Sequence, residues 1–326
     1  ADMSGGGTLD LLLSNRDGPS ELFSTYAPML KTRIVSVTTR KANSVAWGDY
    51  DHDLDGDLDL LFGSAAAPAV NSALYLNSAG TFATEVLLPP SGFGPHVVAF
   101  GDVTGEGLLD VAIGTPNRLQ VYYNGATSAL NWSTPSASPI RSLAWGDAND
   151  DGRLDLLVGR SNGSINLYLN QGGQLGATPA FSATVGGEVR SLAWGDYDGD
   201  HYLDFAVGVF NGWVRVYRNT GGPLYPVDAW HFTQTWLSPD LAPTTAVAWA
   251  DVNSDGHLDL AVGNYGAADT VWETVSGAFP AAATWTSAEI SKTTSLAWGD
   301  WNNDGYPELA AGHDGEPDIV YANLKS

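Results

Sequence analysis

The chain has no cysteine among its 326 residues, and only 14 lysines and arginines stand against 37 aspartates and glutamates, a formal net charge of −23. Without cysteine there is no disulfide framework, no thiolate metal site and no cysteine nucleophile. The compartment stays open, because a secreted chain of this size needs no disulfides. So large a negative surplus repels phosphate backbones and anionic bilayers, which excludes nucleic acid as the natural partner. No apolar run approaches the ~18 residues of a membrane span, and no stretch sustains a helical period. Charge itself is sparse at 16% of residues, whereas 44% are hydrophobic and 12 are tryptophan. That balance excludes a disordered acidic tail and describes a packed protein. Its length suits two ordinary domains or one large β-architecture. Numbering opens at Ala1 with no signal-like stretch, so any such segment is expected ahead of it.

What the chain does have is a repeat. Ser44-Val-Ala-Trp-Gly-Asp49 recurs as Ser142-Leu-Ala-Trp-Gly-Asp147, Ser191-Leu-Ala-Trp-Gly-Asp196, Ala246-Val-Ala-Trp-Ala-Asp251 and Ser295-Leu-Ala-Trp-Gly-Asp300, and Val97-Val-Ala-Phe-Gly-Asp102 carries Phe100 in the Trp place. Each is followed by an acidic loop and a short apolar stretch such as Leu154-Asp-Leu-Leu-Val-Gly159. Counted from Asp2, Asp51, Asp102, Asp147, Asp196, Asp251 and Asp300, the spacings are 49, 51, 45, 49, 55 and 49 residues. A period of about 40–50 residues rich in Val, Leu, Trp and Tyr predicts a four-stranded blade. A third strand ends in Leu74-Tyr-Leu-Asn77 or Leu167-Tyr-Leu-Asn170, and a more variable fourth follows, as in Phe82–Leu88.

Seven such units predict an all-β fold, a seven-bladed β-propeller forming one domain over 1–326, because each sheet buries its faces only against its neighbours. The Trp and Phe of the first strands are expected to wedge between blades. The first and last blades are incomplete: the first copy starts after its Trp position, and the last stops at its third strand, Asp318–Asn323. The chain is therefore expected to be a slice of a longer protein.

Chemistry concentrates in the acidic loops. Oxygen side chains fall at positions 1, 3, 5 and 9 in five copies: Asp51, Asp53, Asp55, Asp59; Asp147, Asn149, Asp151, Asp155; Asp196, Asp198, Asp200, Asp204; Asp251, Asn253, Asp255, Asp259; and Asp300, Asn302, Asp304, Glu308. Position 6 is Gly56, Gly152, Gly256 or Gly305, where the backbone must turn sharply, but His201 in the fifth. Carboxylates alternating on a tight turn converge and repel unless a cation sits among them. Many hard oxygen donors on a flexible loop favour Ca²⁺ over Mg²⁺, which demands strict octahedral geometry. About five Ca²⁺ are expected, with a weaker sixth at Asp102, Thr104, Glu106 and Asp110, and an empty loop at Asp2, Ser4, Gly6 and Asp10. Position 9 instead of 12 for the last ligand, and a strand after it, distinguish the pattern from an EF-hand.

Asp-x-Asp-x-Asp-Gly-x-x-Asp between an Ala-Trp-Gly strand and a Leu-Asp-Leu-x-Val-Gly strand resembles the FG-GAP/VCBS repeat of integrin α-chain propellers, bacterial secreted proteins and a fungal propeller lectin. The resemblance covers nearly the whole chain. It implies a seven-bladed propeller with Ca²⁺ in its loops, on a scaffold that serves adhesion, glycan binding and some polysaccharide lyases.

A second chemistry leaves little trace. The six histidines do not pair at metal-ligand spacing, and the basic residues are scattered, with Arg141 and Arg190 beside the first strands. Trp132, Trp213, Trp230, Trp236, Trp272 and Trp285 lie outside the regular Trp positions and are the candidate sugar-stacking residues; the alternative is that they cover blade edges. The reading is a non-catalytic, Ca²⁺-stabilised interaction or adhesion module, extracellular or at the cell surface, where millimolar calcium fills sites of Kd about 10⁻⁴–10⁻³ M. Its partner is a glycan or an extracellular protein. Two alternatives stand beside it: a polysaccharide lyase or hydrolase on the same scaffold, and an architectural propeller within a larger adhesin or envelope protein.

Overall fold

The computed structural model describes residues 10–13, 21–26, 29–34, 42–51, 57–64, 72–78, 81–88, 97–123, 130–221 and 232–323. Every regular element among them is a strand. The first sheet holds β1 (Asp10–Leu13), β2 (Glu21–Tyr26) and β3 (Met29–Ile34); the second β4 (Ala42–Gly48), β5 (Asp59–Ser64), β6 (Ala73–Ser78) and β7 (Thr81–Leu87); the third β8 (Val97–Gly101), β9 (Asp110–Gly114), β10 (Arg118–Tyr122) and β11 (Trp132–Pro135). The fourth holds β12 (Ile140–Gly146), β13 (Asp155–Arg160), β14 (Ser164–Tyr168) and β15 (Phe181–Thr184); the fifth β16 (Glu188–Gly195), β17 (Asp204–Gly212), β18 (Arg215–Asn219) and β19 (Phe232–Leu237). The sixth holds β20 (Ala242–Ala250), β21 (Asp259–Ala267), β22 (Thr270–Trp272) and β23 (Trp285–Thr286), and the seventh β24 (Ser291–Gly299), β25 (Glu308–His313) and β26 (Ile319–Tyr321). Strands follow one another in chain order and antiparallel, as the repeat predicts. Among the described residues the first and seventh sheets have three strands each.

By internal contacts the chain forms two compact units, Ala1–Leu143 with Asn170–Leu175, and Ala144–Leu169 with Gly176–Ser326. The second strand of each repeat is its core: β9 and β13 are buried at every position, which is why these segments read as unbroken apolar runs. In the second unit Phe205, Tyr217, Phe181 and Phe232 cluster, Phe205 stacking on Tyr217 with centroids 4.8 Å apart.

The first-strand tryptophans join successive sheets. Trp194 Nε1 donates to the Ala144 carbonyl at 3.1 Å, Trp249 to Ala193 at 3.1 Å and Trp298 to Ala248 at 3.2 Å. Each indole lies on the backbone of the preceding first strand; a Cβ on Gly146 would fall 2.8 Å from the Trp194 ring and one on Gly195 2.9 Å from the Trp249 ring, whereas the strand under Trp298 ends in Ala250. The wedge role expected for these residues holds here. Backbone pairing adds to it where β17 reaches β20 (Gly212 opposite Ala242) and β21 reaches β24 (Ala267 opposite Ser291).

Candidate metal centres

Register places the acidic loops at one fixed point in five of the described sheets. The last residue of the first strand faces position 9 of the loop: Gly48 opposite Asp59, Gly101 opposite Asp110, Gly195 opposite Asp204, Ala250 opposite Asp259 and Gly299 opposite Glu308. Position 9 is buried throughout, and its carboxylate accepts main-chain hydrogens before anything else. Asp204 accepts from the amides of Tyr197 (3.2 Å) and Asn219 (2.7 Å), Asp259 from Val252 (3.0 Å) and Thr274 (2.7 Å), and Asp110 from Val103 (2.7 Å). One acid thereby ties the loop to the second strand and, where Asn219 or Thr274 donates, to the third as well. Burial outweighs these bonds and raises the carboxyls, Asp204 to about 7 and Asp259 to about 6, with the charges of the neighbouring loop aspartates adding to it.

Position 1 folds the loop around itself. Asp147 accepts from the amides of Asp151 (3.0 Å) and Gly152 (2.7 Å), Asp251 from Asp255 (3.1 Å) and Gly256 (2.9 Å), and Asp300 from Asp304 (3.1 Å) and Gly305 (2.9 Å). Position 5 then accepts from position 7, as Asp255 does from His257 and Asp304 from Tyr306, both at 2.9 Å. Two residues per loop must take positive φ: Asp150 (57°) with Gly152 (82°), Ser254 (56°) with Gly256 (87°), Asn303 (59°) with Gly305 (91°). His201 adopts 72° in the glycine position, so the turn survives the substitution at the cost of backbone strain.

Amides engage both oxygens of the carboxylates at positions 1 and 9, as at Asp196 and Asp204, and still the acidic groups draw close together. Donor atoms of Asp196, Asp198 and Asp204, and likewise of Asp49, Asp51 and Asp59, lie within 4.8 Å of one another. All-oxygen donor sets at this spacing suit a hard divalent cation. Asp53 and Asp55 lie outside the described residues, as do the Asp2 to Gly6 loop and Trp230. Asp49 enters as a correction to the expected start of its repeat at Asp51. The amide of Tyr50 donates to Asp59 (2.8 Å) as that of Ala148 does to Asp155 (3.0 Å), so Asp49 holds the place of Asp147 and the loop is two residues longer. Alignment on Trp47-Gly48-Asp49 carries the signal.

Third-strand asparagines are a further set that loop spacing does not reveal. Asn219 Nδ2 donates to the Ala148 carbonyl (2.8 Å), Asn323 to Val252 (2.8 Å) and Asn170 to Val103 (2.7 Å), in each case position 2 of the preceding acidic loop. Their signal is the recurring ending Tyr-Leu-Asn170, Tyr-Arg-Asn219 and Tyr-Ala-Asn323.

The tryptophans proposed for sugar stacking separate into two kinds. Trp132 and Trp272 are buried at 8% and 6% exposure, which corrects their assignment, since no ring face is left for a ligand. Trp236 packs between Trp272 and Phe279, and Trp285 against Tyr321. Trp213 keeps 37% of its surface, with the Arg215 guanidinium 6.0 Å from its ring. Arg190 lies over Phe210 at 4.2 Å and pairs with Glu188.

Solved structures of the same fold include the WD40 β-propeller domain of Doa1, at TM-score 0.67 and 13% identity over 97% of this chain and 90% of that one. BBS1N, crystallised in complex with ARL6DN, aligns at TM-score 0.64 in a mercury-soaked crystal and 0.67 in a lead-soaked one, with 17% and 15% identity, over 100% of this chain and 92% of that one. The chain is thus a β-propeller. It matches the FG-GAP-like repeat over residues 51–113, 102–158, 147–207, 196–262 and 251–311, and it belongs to that family. Comparison with curated protein sequences gives no match.

Proposed function

We propose that the acidic loops are Ca²⁺ sites that stabilise an extracellular, non-catalytic interaction module. The observation that carries this reading is the repetition of one amide-lined acidic turn in repeat after repeat, with carboxylate oxygens within 4.8 Å of one another at Asp49, Asp51 and Asp59 and at Asp196, Asp198 and Asp204. Oxygen number and loop flexibility favour Ca²⁺, and sites of this kind fill at extracellular millimolar calcium. The carboxyls that burial shifts furthest, Asp204 and Asp259, are held by main-chain amides and so serve the fold, which supports a binding role over a catalytic one.

For the partner, a glycan or an extracellular protein, the surface around Trp213 is the best-supported contact. It offers an exposed indole face, the Arg215 guanidinium and Gln234, whose Oε1 accepts from Arg215 Nε at 3.2 Å. BBS1N, a propeller of the same fold, engages a protein, ARL6DN. Calorimetric titration with CaCl2 tests the first half: several ions per chain are expected, and a flat titration refutes it. A glycan array with wild type and Trp213→Ala tests the second. Retention lost in the variant supports a glycan at Trp213, and retention equal in both moves the contact elsewhere.

A further inference from the structure

Resting on the reading that these loops hold calcium, a difference among them goes further. Judged by carboxylates alone, Asp196, Asp198, Asp200 and Asp204 form the best-endowed of the fully described loops. Yet the residue before the third-strand asparagine is Arg218 in this repeat alone; the same place holds Leu76, Tyr123, Leu169, Glu273 and Ala322 in others. Arg218 Nε lies 2.5 Å from Asp198 Oδ2, and its Nη2 lies 2.9 Å from Asp200 Oδ2. The opposite oxygens are already engaged: Asp198 Oδ1 accepts from the Asp200 amide at 3.3 Å and Asp200 Oδ1 from the Tyr202 amide at 3.0 Å. The guanidinium therefore takes the two oxygens that a divalent ion would use.

On its other side the loop is covered. A Cβ on Gly277, in the turn after the sixth sheet's third strand, would lie 2.9 Å from the Asp198 Cβ. Asp198 keeps only 13% side-chain exposure. A guanidinium that donates to Asp200 through Nη2 and is ion-paired with Asp198 through Nε answers two carboxylates at once and is a stronger competitor than a lone charge. Arg153, by contrast, pairs with Asp151 from within its own loop. In the next repeat the sign is reversed, for Glu273 Oε2 accepts from Asn253 Nδ2 at 3.5 Å and adds a carboxylate to the loop.

We propose that Arg218 is the resident cation of the Asp196–Asp204 loop, so that this loop folds without a divalent ion and is the last of the set to accept one. Calorimetric titration of the whole chain with CaCl2, wild type against Arg218→Gln, tests it. The variant is expected to bind one more ion per chain, or to tighten its weakest site at least tenfold. In EDTA it should melt below wild type, and saturating calcium should remove that deficit. Equal stoichiometry and affinities in a wild type that does bind calcium overturn this inference and leave the general reading standing; a flat wild-type titration overturns the general reading instead. Should Arg218→Gln fail to fold, Arg218→Lys keeps the charge without the fork. It should fall between, and a titration identical to wild type overturns the proposal.

Discussion

The loops at Asp102–Asp110 and Asp147–Asp155 share a shape and a count of acidic ligands but differ in the side chains at positions 3 and 5, Thr104 and Glu106 against Asn149 and Asp151. In the first, Asp102 accepts from the amides of Gly105, Glu106 and Gly107, and Thr104 donates its hydroxyl to Glu106 at 2.6 Å. In the second, Asp147 accepts from Asp151 and Gly152, and Asn149 and Asp151 fill positions 3 and 5. Positive φ falls at positions 4 and 6 in both. The turn is thus built by positions 1, 6 and 9 and survives weakened ligands at 3 and 5. Shaping the loop and choosing its ligands at positions 3 and 5 are separable tasks.

The largest expected effect tests that separation. Replacing the buried acid should be severe in both loops: Asp110→Ala and Asp155→Ala should each cost about 2–4 kcal/mol, because buried amides lose their acceptor. Urea denaturation measures this, and a mild Asp110→Ala would break the equivalence. Next comes the metal. An ion present at about a hundred times its Kd contributes about 2.7 kcal/mol, so EDTA should lower Tm by several degrees, Asp151→Ala should remove part of that difference, and Glu106→Ala almost none. Equal losses from both variants would mean the two loops bind alike.

Acid should act in the same direction as metal. Asp204 and Asp259 titrate near 7 and 6 when folded, above the unfolded value. Their protonated forms favour the fold, and that contribution is lost as pH rises through 6 and 7. In EDTA, Tm should therefore rise between about pH 8 and about pH 5, and calcium should flatten the trend. A metal-free Tm that falls over that range contradicts it. The smallest effect is His201→Gly, which relieves a positive φ and should stabilise by about 1 kcal/mol; a destabilised variant would show the imidazole to be a contact the fold uses.

Much of this was legible in the sequence because the repeat reports it many times over. Strand order, the Trp wedge and the roles of positions 1 and 6 recur in copy after copy. What escaped depends on single copies or on distance along the chain. Asp49 was hidden by a two-residue insertion that leaves an in-register aspartate at 51. Arg218 acts on carboxylates 18 and 20 residues earlier, from another strand. The burial of Trp272 is set by the fifth sheet, through Trp236, which an irregular Trp spacing does not disclose. The asparagine that ends or follows the third strand at 170, 219 and 323 was visible as a pattern, but its acceptor lies in the preceding repeat.

The indole bond from Trp194 to Ala144, repeated by Trp249 and Trp298, gives the segments of Trp194 and Trp249 both a plug and a socket. A copy inserted by gene duplication would arrive with its coupling intact on either side. Growth of such an array then needs no newly invented interface, and the outer loops can diverge in length while the innermost fastenings stay the same.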